Sequence, residues 1–219
     1  MRTITKTLYK FEELSEEGKQ KAIEKWREVS YGNNEAQWIY DEAHGSVKEF
    51  LSIFPVETSR NSWLEPSFQK TDDNLMELSG LRLRKWFINN AYEWITKRKY
   101  LKHFNDHKIG SNLPFFRKNK DYNNGNKSCF VYSRIERERS CVLTGICYDD
   151  DLLRPLYKFL EYKDPENMNY YTFEDIIRDC FSGLKKSLEA EEEYIYSDEG
   201  IAETIKANEY EFYENGSLY

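Results

Sequence analysis

The most regular pattern in the chain is an apolar stripe with helical spacing in its C-terminal third. Thr172 and Asp175 stand where an N-terminal capping box places its two side chains, and the apolar residues that follow share one side of a helix as far as Ile195. The same spacing predicts further helices over residues 39–54 and 152–160 and after Ser197. It also predicts a helix from Ser15 to about Ser30 with Val29 on its buried side, and one over residues 77–104 with Leu81 on its buried side and the arginines and lysines on the other. Each of these helices must bury one side, so helices set most of the architecture.

Strand patterns lie at both ends of the chain. Residues 2–11 alternate as a half-buried strand does, and residues 209–219 form a hairpin signal centred on Asn215-Gly216. Weaker strand patterns lie at residues 56–71, 129–135 and 141–148. Since an isolated hairpin is marginal in water, we expect the terminal strands to pair. The sequence thus predicts an α+β protein, with several amphipathic helices packed on a small, mostly antiparallel sheet that includes both termini.

No break in composition divides the chain, so we expect a single domain over residues 1–219. Within it, residues 105–128 are rich in asparagine and contain Pro114 and the turn signal Asn124-Gly125. This stretch predicts a basic, mobile loop.

The composition indicates a folded protein rather than a disordered or membrane-spanning one. Charged residues make up 32% of the chain, yet 16% of the residues are aromatic, whereas disordered chains are poor in aromatic residues. No apolar run approaches the roughly 18 residues that cross a bilayer, and Met1 to Leu14 lacks the apolar segment of a signal peptide. We therefore expect a protein of the cytoplasm with no membrane partner.

The net charge of −7 conceals two segments of opposite sign. Residues 82–127 carry a net charge of +9, and residues 148–219 carry −12. The chain is bipolar along its sequence, which favours contact with charged partners.

The basic segment contains candidate residues for binding phosphate: Lys97, Arg98, Lys99, Lys102, Arg117, Lys118 and Lys120. Aromatic residues lie between them, and this mixture can follow a phosphate backbone and stack on bases. A solvated helix face with a lysine-rich loop explains the same pattern.

The acidic segment contains a second candidate surface, formed by Glu189, Glu191, Glu192 and Glu193. These carboxylates could enter the basic channel of a protein that handles nucleic acid, taking the place of phosphate. A solvated helix face is again the alternative.

Residues that could carry chemistry give weak signals. His103 and His107 are one helical turn apart but lack the glutamate of a zinc-protease motif, and Asp149-Asp150-Asp151 could hold a hard cation but equally suits a helix N-terminus. The cysteines match no zinc motif and are expected to be reduced: Cys129, Cys141, Cys147 and Cys180. We therefore predict no catalytic residue, no metal site and no cofactor.

Three stretches resemble a family of small proteins encoded by phages and prophages. They are YKFEELSEEGKQKAIEKWR (residues 9–27), VLTGICYDD (residues 142–150) and YSDEG (residues 196–200) with ANEYEFYENG (residues 207–216). Gly18 departs from the alanine that is common at its position in the family. The resemblance transfers no catalytic residue, but it implies a phage accessory protein, a class that includes inhibitors of bacterial defence.

We therefore expect a non-enzymatic, phage-encoded inhibitor of a defence nuclease, of the anti-CRISPR type, that binds the effector complex in the host bacterial cytoplasm. Its partner would be a CRISPR effector nuclease or another defence protein, or the guide RNA or DNA. The alternatives are a phage accessory protein that binds nucleic acid, and a metal-dependent enzyme that uses Asp149, Asp150 and Asp151.

Overall fold

The computed structural model describes residues 7–91, 143–144, 148–162 and 168–219. Its helices and two small antiparallel sheets make the chain an α+β protein, as the sequence predicts. The helices are α1 (Glu16–Asn33), α2 (Gln37–Ile53), α3 (Asp73–Met76), α4 (Gly80–Asn90), α5 (Tyr148–Glu161), α6 (Phe173–Ile195) and α7 (Asp198–Ala207). The strands are β1 (Tyr9–Lys10), β2 (Glu57–Thr58), β3 (Pro66–Ser67) and β4 (Glu211–Phe212), and a 3-10 helix covers Phe11–Glu13.

Two compact units make up the chain. The terminal unit comprises Met1–Tyr40 and Leu188–Tyr219, and the central unit comprises Asp41–Ser187. The single domain expected over residues 1–219 stays a prediction. In the part of the chain that the structure describes, no helix has both the length and the apolar character to cross a bilayer.

Three helices begin at the polar residues that the sequence marks as caps. The hydroxyls of Ser15 and Ser197 accept hydrogen bonds from the backbone amide three residues further on, at 3.1 and 3.0 Å. At the start of α6, the Thr172 amide donates to the Asp175 carboxylate at 2.9 Å, and the Asp175 amide donates to the Thr172 hydroxyl at 3.2 Å. These short-range signals are therefore confirmed.

The end of α1 differs from the prediction. The turn expected after Ser30 comes later, because Asn34 takes the left-handed conformation that closes the helix, with a φ of 53°. Val29, which the stripe predicts to be buried, is 41% exposed. Ser30 is buried in its place, because its hydroxyl donates to the Glu35 carboxylate at 2.8 Å in the turn that follows.

In the terminal unit, the two ends of the described chain share one sheet. β1 pairs antiparallel with β4 in the register Tyr9 to Phe212, and Phe212 also bridges to Leu218 across the C-terminal hairpin. Phe212 lies in a core whose other buried members are Phe11, Leu14, Ala22, Ile23, Ile201 and Ile205. The predicted pairing and the predicted hairpin are both confirmed.

The turn of this hairpin packs directly on the first turn of α1. Gly216 has a φ of 80°, which favours glycine, and a Cβ built on it would lie 2.1 Å from the carbonyl oxygen of Gly18. A Cβ on Gly18 would lie 3.2 Å from the carbonyl oxygen of Glu214. The absence of side chains at both glycines thus allows the two backbones to meet.

The central unit has an aromatic core. Phe87 of α4 stacks on Phe173 of α6 with ring centroids 5.8 Å apart, and it meets Phe54 and Phe159 edge-on. The strands β2 and β3 form an antiparallel pair between residues 56 and 71, where the sequence predicts strands. That prediction is confirmed.

The helix predicted over residues 77–104 is wrong in its bounds and in two side chains, since α4 begins at Gly80 and ends at Asn90. Leu81 is 47% exposed, and Arg84, expected on the outer side with the other basic residues, is only 3% exposed. The guanidinium of Arg84 donates to the carbonyl oxygens of Leu160 and Tyr162 at 2.7 and 3.1 Å. These carbonyls lie at the C-terminal end of α5, where a buried cation is stabilised by the helix dipole. Residues 92–104 of the predicted helix, the loop at 105–128 and the strand at 129–135 lie outside the described residues. The strand predicted over residues 141–148 is wrong at its end, because Tyr148 begins α5.

Candidate functional site

The two units differ in net charge. The terminal unit has 8 lysines and arginines against 17 aspartates and glutamates, a net charge of −9, whereas the central unit has a net charge of +2. Such an excess of one sign attracts surfaces of the opposite sign.

The predicted acidic residues occupy the last two turns of α6, within the terminal unit. Glu189, Glu192 and Glu193 are three and four positions apart, so the helix brings them to one side. Glu191 lies two positions from Glu189, about 200° around the helix, and so projects from the other side. Glu191 and Glu192 are both half-buried, whereas Glu189 and Glu193 are exposed. Three of the four candidates therefore form one surface.

The Tyr40 hydroxyl anchors this surface by donating to the Glu192 carboxylate at 2.5 Å. Partial burial, this hydrogen bond and the negative charges of Glu192 and Glu189 together raise the pKa of Tyr40 to about 12. The phenol therefore stays protonated near neutral pH and keeps donating to Glu192.

A pair of tyrosines lies in the same unit. The rings of Tyr31 and Tyr196 are stacked, with centroids 4.0 Å apart and an angle of 12° between their planes. Tyr196 is buried, and its amide donates to the carbonyl of Glu192, the residue that Tyr40 contacts, at 3.2 Å, whereas Tyr31 is 59% exposed. We call Tyr31, Tyr40, Tyr196, Glu189 and Glu192 the tyrosine-carboxylate surface.

Sequence reasoning found the carboxylates of this surface and missed its tyrosines. No sequence spacing joins residues 31, 40 and 196, because they meet only when α1, α2 and α6 fold together. The sequence indicated a special role for Tyr31 only weakly, because Tyr31 lies in a stretch with turn composition at the end of an amphipathic helix.

The candidate basic surface lies outside the described residues. This applies to all of its members: Lys97, Arg98, Lys99, Lys102, Arg117, Lys118 and Lys120. The same holds for His103, His107, Cys129, Cys141 and Cys147.

Asp149 to Asp151 lie in the first turn of α5, where carboxylates favour the helix dipole. The buried carboxylate of Asp149 accepts from the Ser46 hydroxyl at 2.6 Å and from the Thr144 amide at 2.8 Å. Asp150 and Asp151 instead form ion pairs with Arg154. Asp149 thus has different structural partners from Asp150 and Asp151, which share Arg154, in agreement with the helix N-terminal interpretation.

Other candidates for chemistry can be placed for the described residues only. Among the residues that the structure describes, no group of three His, Cys, Asp or Glu side chains is placed to hold a metal ion. Cys180 is fully buried, and burial raises the pKa of its thiol. This agrees with the prediction that Cys180 packs as an apolar side chain.

Comparison of the chain with protein-family models, with curated proteins and with solved structures found no match.

Proposed function

We propose that the chain is a phage-encoded, non-enzymatic inhibitor of a bacterial defence nuclease, of the anti-CRISPR type, that acts by binding the effector complex. The observation that carries the proposal is the acidic surface of the terminal unit, with Glu189, Glu192 and Glu193 on one side of α6. The resemblance of three stretches to a phage and prophage family supports the same class of function.

The physical basis is competition for a basic channel. An enzyme that holds nucleic acid presents lysine and arginine side chains to phosphates, and these cations attract any closely spaced row of anions. Helical spacing places the Cβ atoms of Glu189, Glu192 and Glu193 about 5–6 Å from their neighbours, so one basic cleft can meet all three. The hydrogen bond from Tyr40 holds one of these carboxylates in place before binding.

Substituting glutamine at Glu189, Glu192 and Glu193 tests this proposal. Each exposed ion pair contributes about 0.2–1 kcal/mol, so the triple variant should bind the effector about 3- to 160-fold more weakly. The dependence of binding on salt should fall as well, because fewer charges take part. Inhibition of nuclease activity by the purified chain is the second measurement.

A matched control changes the same number of charges elsewhere in the terminal unit. Glu12, Glu24 and Glu214 are exposed and lie outside α6, so their substitution by glutamine should leave inhibition nearly unchanged. Equal losses in both variants would assign the effect to net charge alone. Full inhibition by the α6 variant would remove this surface from the mechanism.

A second candidate function is that of an accessory protein that binds nucleic acid directly. The charge of +9 over residues 82–127 favours it. In a mobility-shift assay, the purified chain would then retard guide RNA or DNA without any effector. Charge reversal at Lys97, Arg98 and Lys99 should abolish that shift in a salt-dependent way.

A further inference from the structure

Tyr31 is a large aromatic side chain that is both exposed and held in place. Its ring is 59% exposed at the end of α1, yet one face is stacked on Tyr196 at 4.0 Å. Rigid tyrosines provide contact area at a low cost in conformational entropy, and for this reason they are frequent at the centres of binding interfaces. The uncovered face of the Tyr31 ring is therefore suited to a partner.

The support beneath Tyr31 is fixed by two hydrogen bonds. The hydroxyl of Tyr196 accepts from the Ala36 amide at 3.3 Å, and the carbonyl of Tyr196 accepts from the Arg27 guanidinium at 3.1 Å. Tyr196 itself is 7% exposed. The stack is thus organised before any partner arrives.

Charge around the stack favours a cationic partner. The Glu192 carboxylate accepts from the Tyr40 hydroxyl, and the Glu192 carbonyl accepts from the Tyr196 amide at 3.2 Å. Glu189 lies one helical turn before Glu192 on α6. Arg27, which donates to the Tyr196 carbonyl, forms an ion pair with Asp198 and so adds no net charge. The surroundings of the stack are therefore negative overall, in a unit whose net charge is −9.

We infer that the uncovered face of Tyr31 receives an arginine guanidinium from the basic surface of the partner, whose neighbouring cations meet Glu189 and Glu192. Arginine fits better than lysine, because its planar group stacks on an aromatic face and binds carboxylates through two parallel hydrogen bonds. This inference rests on the proposed function, since it names the chemistry by which the same surface would recognise the effector.

Two short peptides test the inference on the full chain: one alternates arginine with glycine, and the other alternates lysine with glycine. We expect the arginine peptide to bind more tightly by isothermal titration calorimetry at low salt. Tyr31→Ala should weaken arginine binding about 5- to 30-fold, whereas Tyr31→Phe, which keeps the ring, should retain it. Tyr170→Ala is the control, because Tyr170 is 81% exposed and belongs to the central unit.

Equal binding of the two peptides would overturn the inference, as would unchanged arginine binding by Tyr31→Ala or an equal loss in Tyr170→Ala. Thermal melting of each variant verifies that the fold is kept.

The inference and the proposed function can fail separately. If arginine binding depends on Tyr31 but the chain inhibits no nuclease, the arginine site on Tyr31 is supported and the proposed function is refuted. If Tyr31→Ala inhibits the nuclease fully and the α6 glutamine variant does not, the proposed function is supported and the inference about Tyr31 is refuted.

Discussion

Replacing Phe212 with alanine should strongly destabilise the terminal unit. The Phe212 ring is 1% exposed and packs edge-on against Phe11, with centroids 6.3 Å apart. Removing a buried phenylalanine ring costs about 3–5 kcal/mol, through lost burial and the cavity that remains. At about 2–4 °C for each kcal/mol in a chain of this size, the melting temperature should fall by roughly 6–20 °C. Circular dichroism during heating measures this shift.

Leu218→Ala provides the control, because Leu218 is on the same hairpin but is 43% exposed. Its bridge to Phe212 uses backbone atoms, which alanine retains, so its melting temperature should change by only a few degrees. A Phe212→Ala variant that melts within about 2 °C of the unchanged chain would refute the reasoning from burial. The C-terminal strand would then be free to add to the sheet of a partner.

Three further predictions follow from single contacts. Gly216→Ala should lower the free energy of unfolding in urea by at least about 1–2 kcal/mol. The new Cβ would meet the α1 backbone, and the φ of Gly216 is unfavourable for alanine. An unchanged midpoint of urea unfolding would contradict this packing. Since the folded pKa of Tyr40 lies above its ordinary value of 10, the stabilising effect of its protonated phenol should be lost as pH rises from about 10 to about 12. Phenolate absorbance should show that Tyr40 ionises at a lower pH in Glu192→Gln than in the unchanged chain. An unchanged pKa of Tyr40 in this variant would refute the role assigned to the Glu192 carboxylate. Asp149→Asn should lower the free energy of unfolding by about 1–3 kcal/mol in thermal melts, because an amide NH₂ group would face buried hydrogen-bond donors. Asp150→Asn, at an exposed carboxylate, should lower it by at most about 1 kcal/mol. Equal losses would contradict the different burial of the two carboxylates.

Sequence reasoning succeeded where the physical cause is local. The caps at Ser15, Thr172 and Ser197 depend on side chains within three residues of the backbone amides that they satisfy. The turn at Asn215-Gly216 likewise depends on two adjacent residues. Pairing of the terminal strands was predictable because neither apolar end could remain stable alone.

Sequence reasoning failed where a distant element decides burial. Arg84 is buried because the C-terminal carbonyls of α5 accept its hydrogen bonds, and those carbonyls lie more than 70 positions away along the chain. Four neighbouring glutamates look equivalent in the sequence, yet helical rotation separates Glu191 from Glu189. The stack of Tyr31 on Tyr196 joins two helix ends that no local pattern connects.

The pairing of β1 with β4 sets the order in which the chain can fold during its synthesis. Tyr9 and its partner Phe212 lie roughly 200 positions apart, so at about 5–20 residues per second the ribosome needs about 10–40 s to supply the second strand after the first. During that time the apolar side of α1, with Ala22 and Ile23, lacks α7 and β4, which complete its core. The whole of Asp41–Ser187 is made within the same interval and can form its aromatic core first. A nascent chain should therefore expose α1 to chaperones and proteases until α7 and β4 emerge.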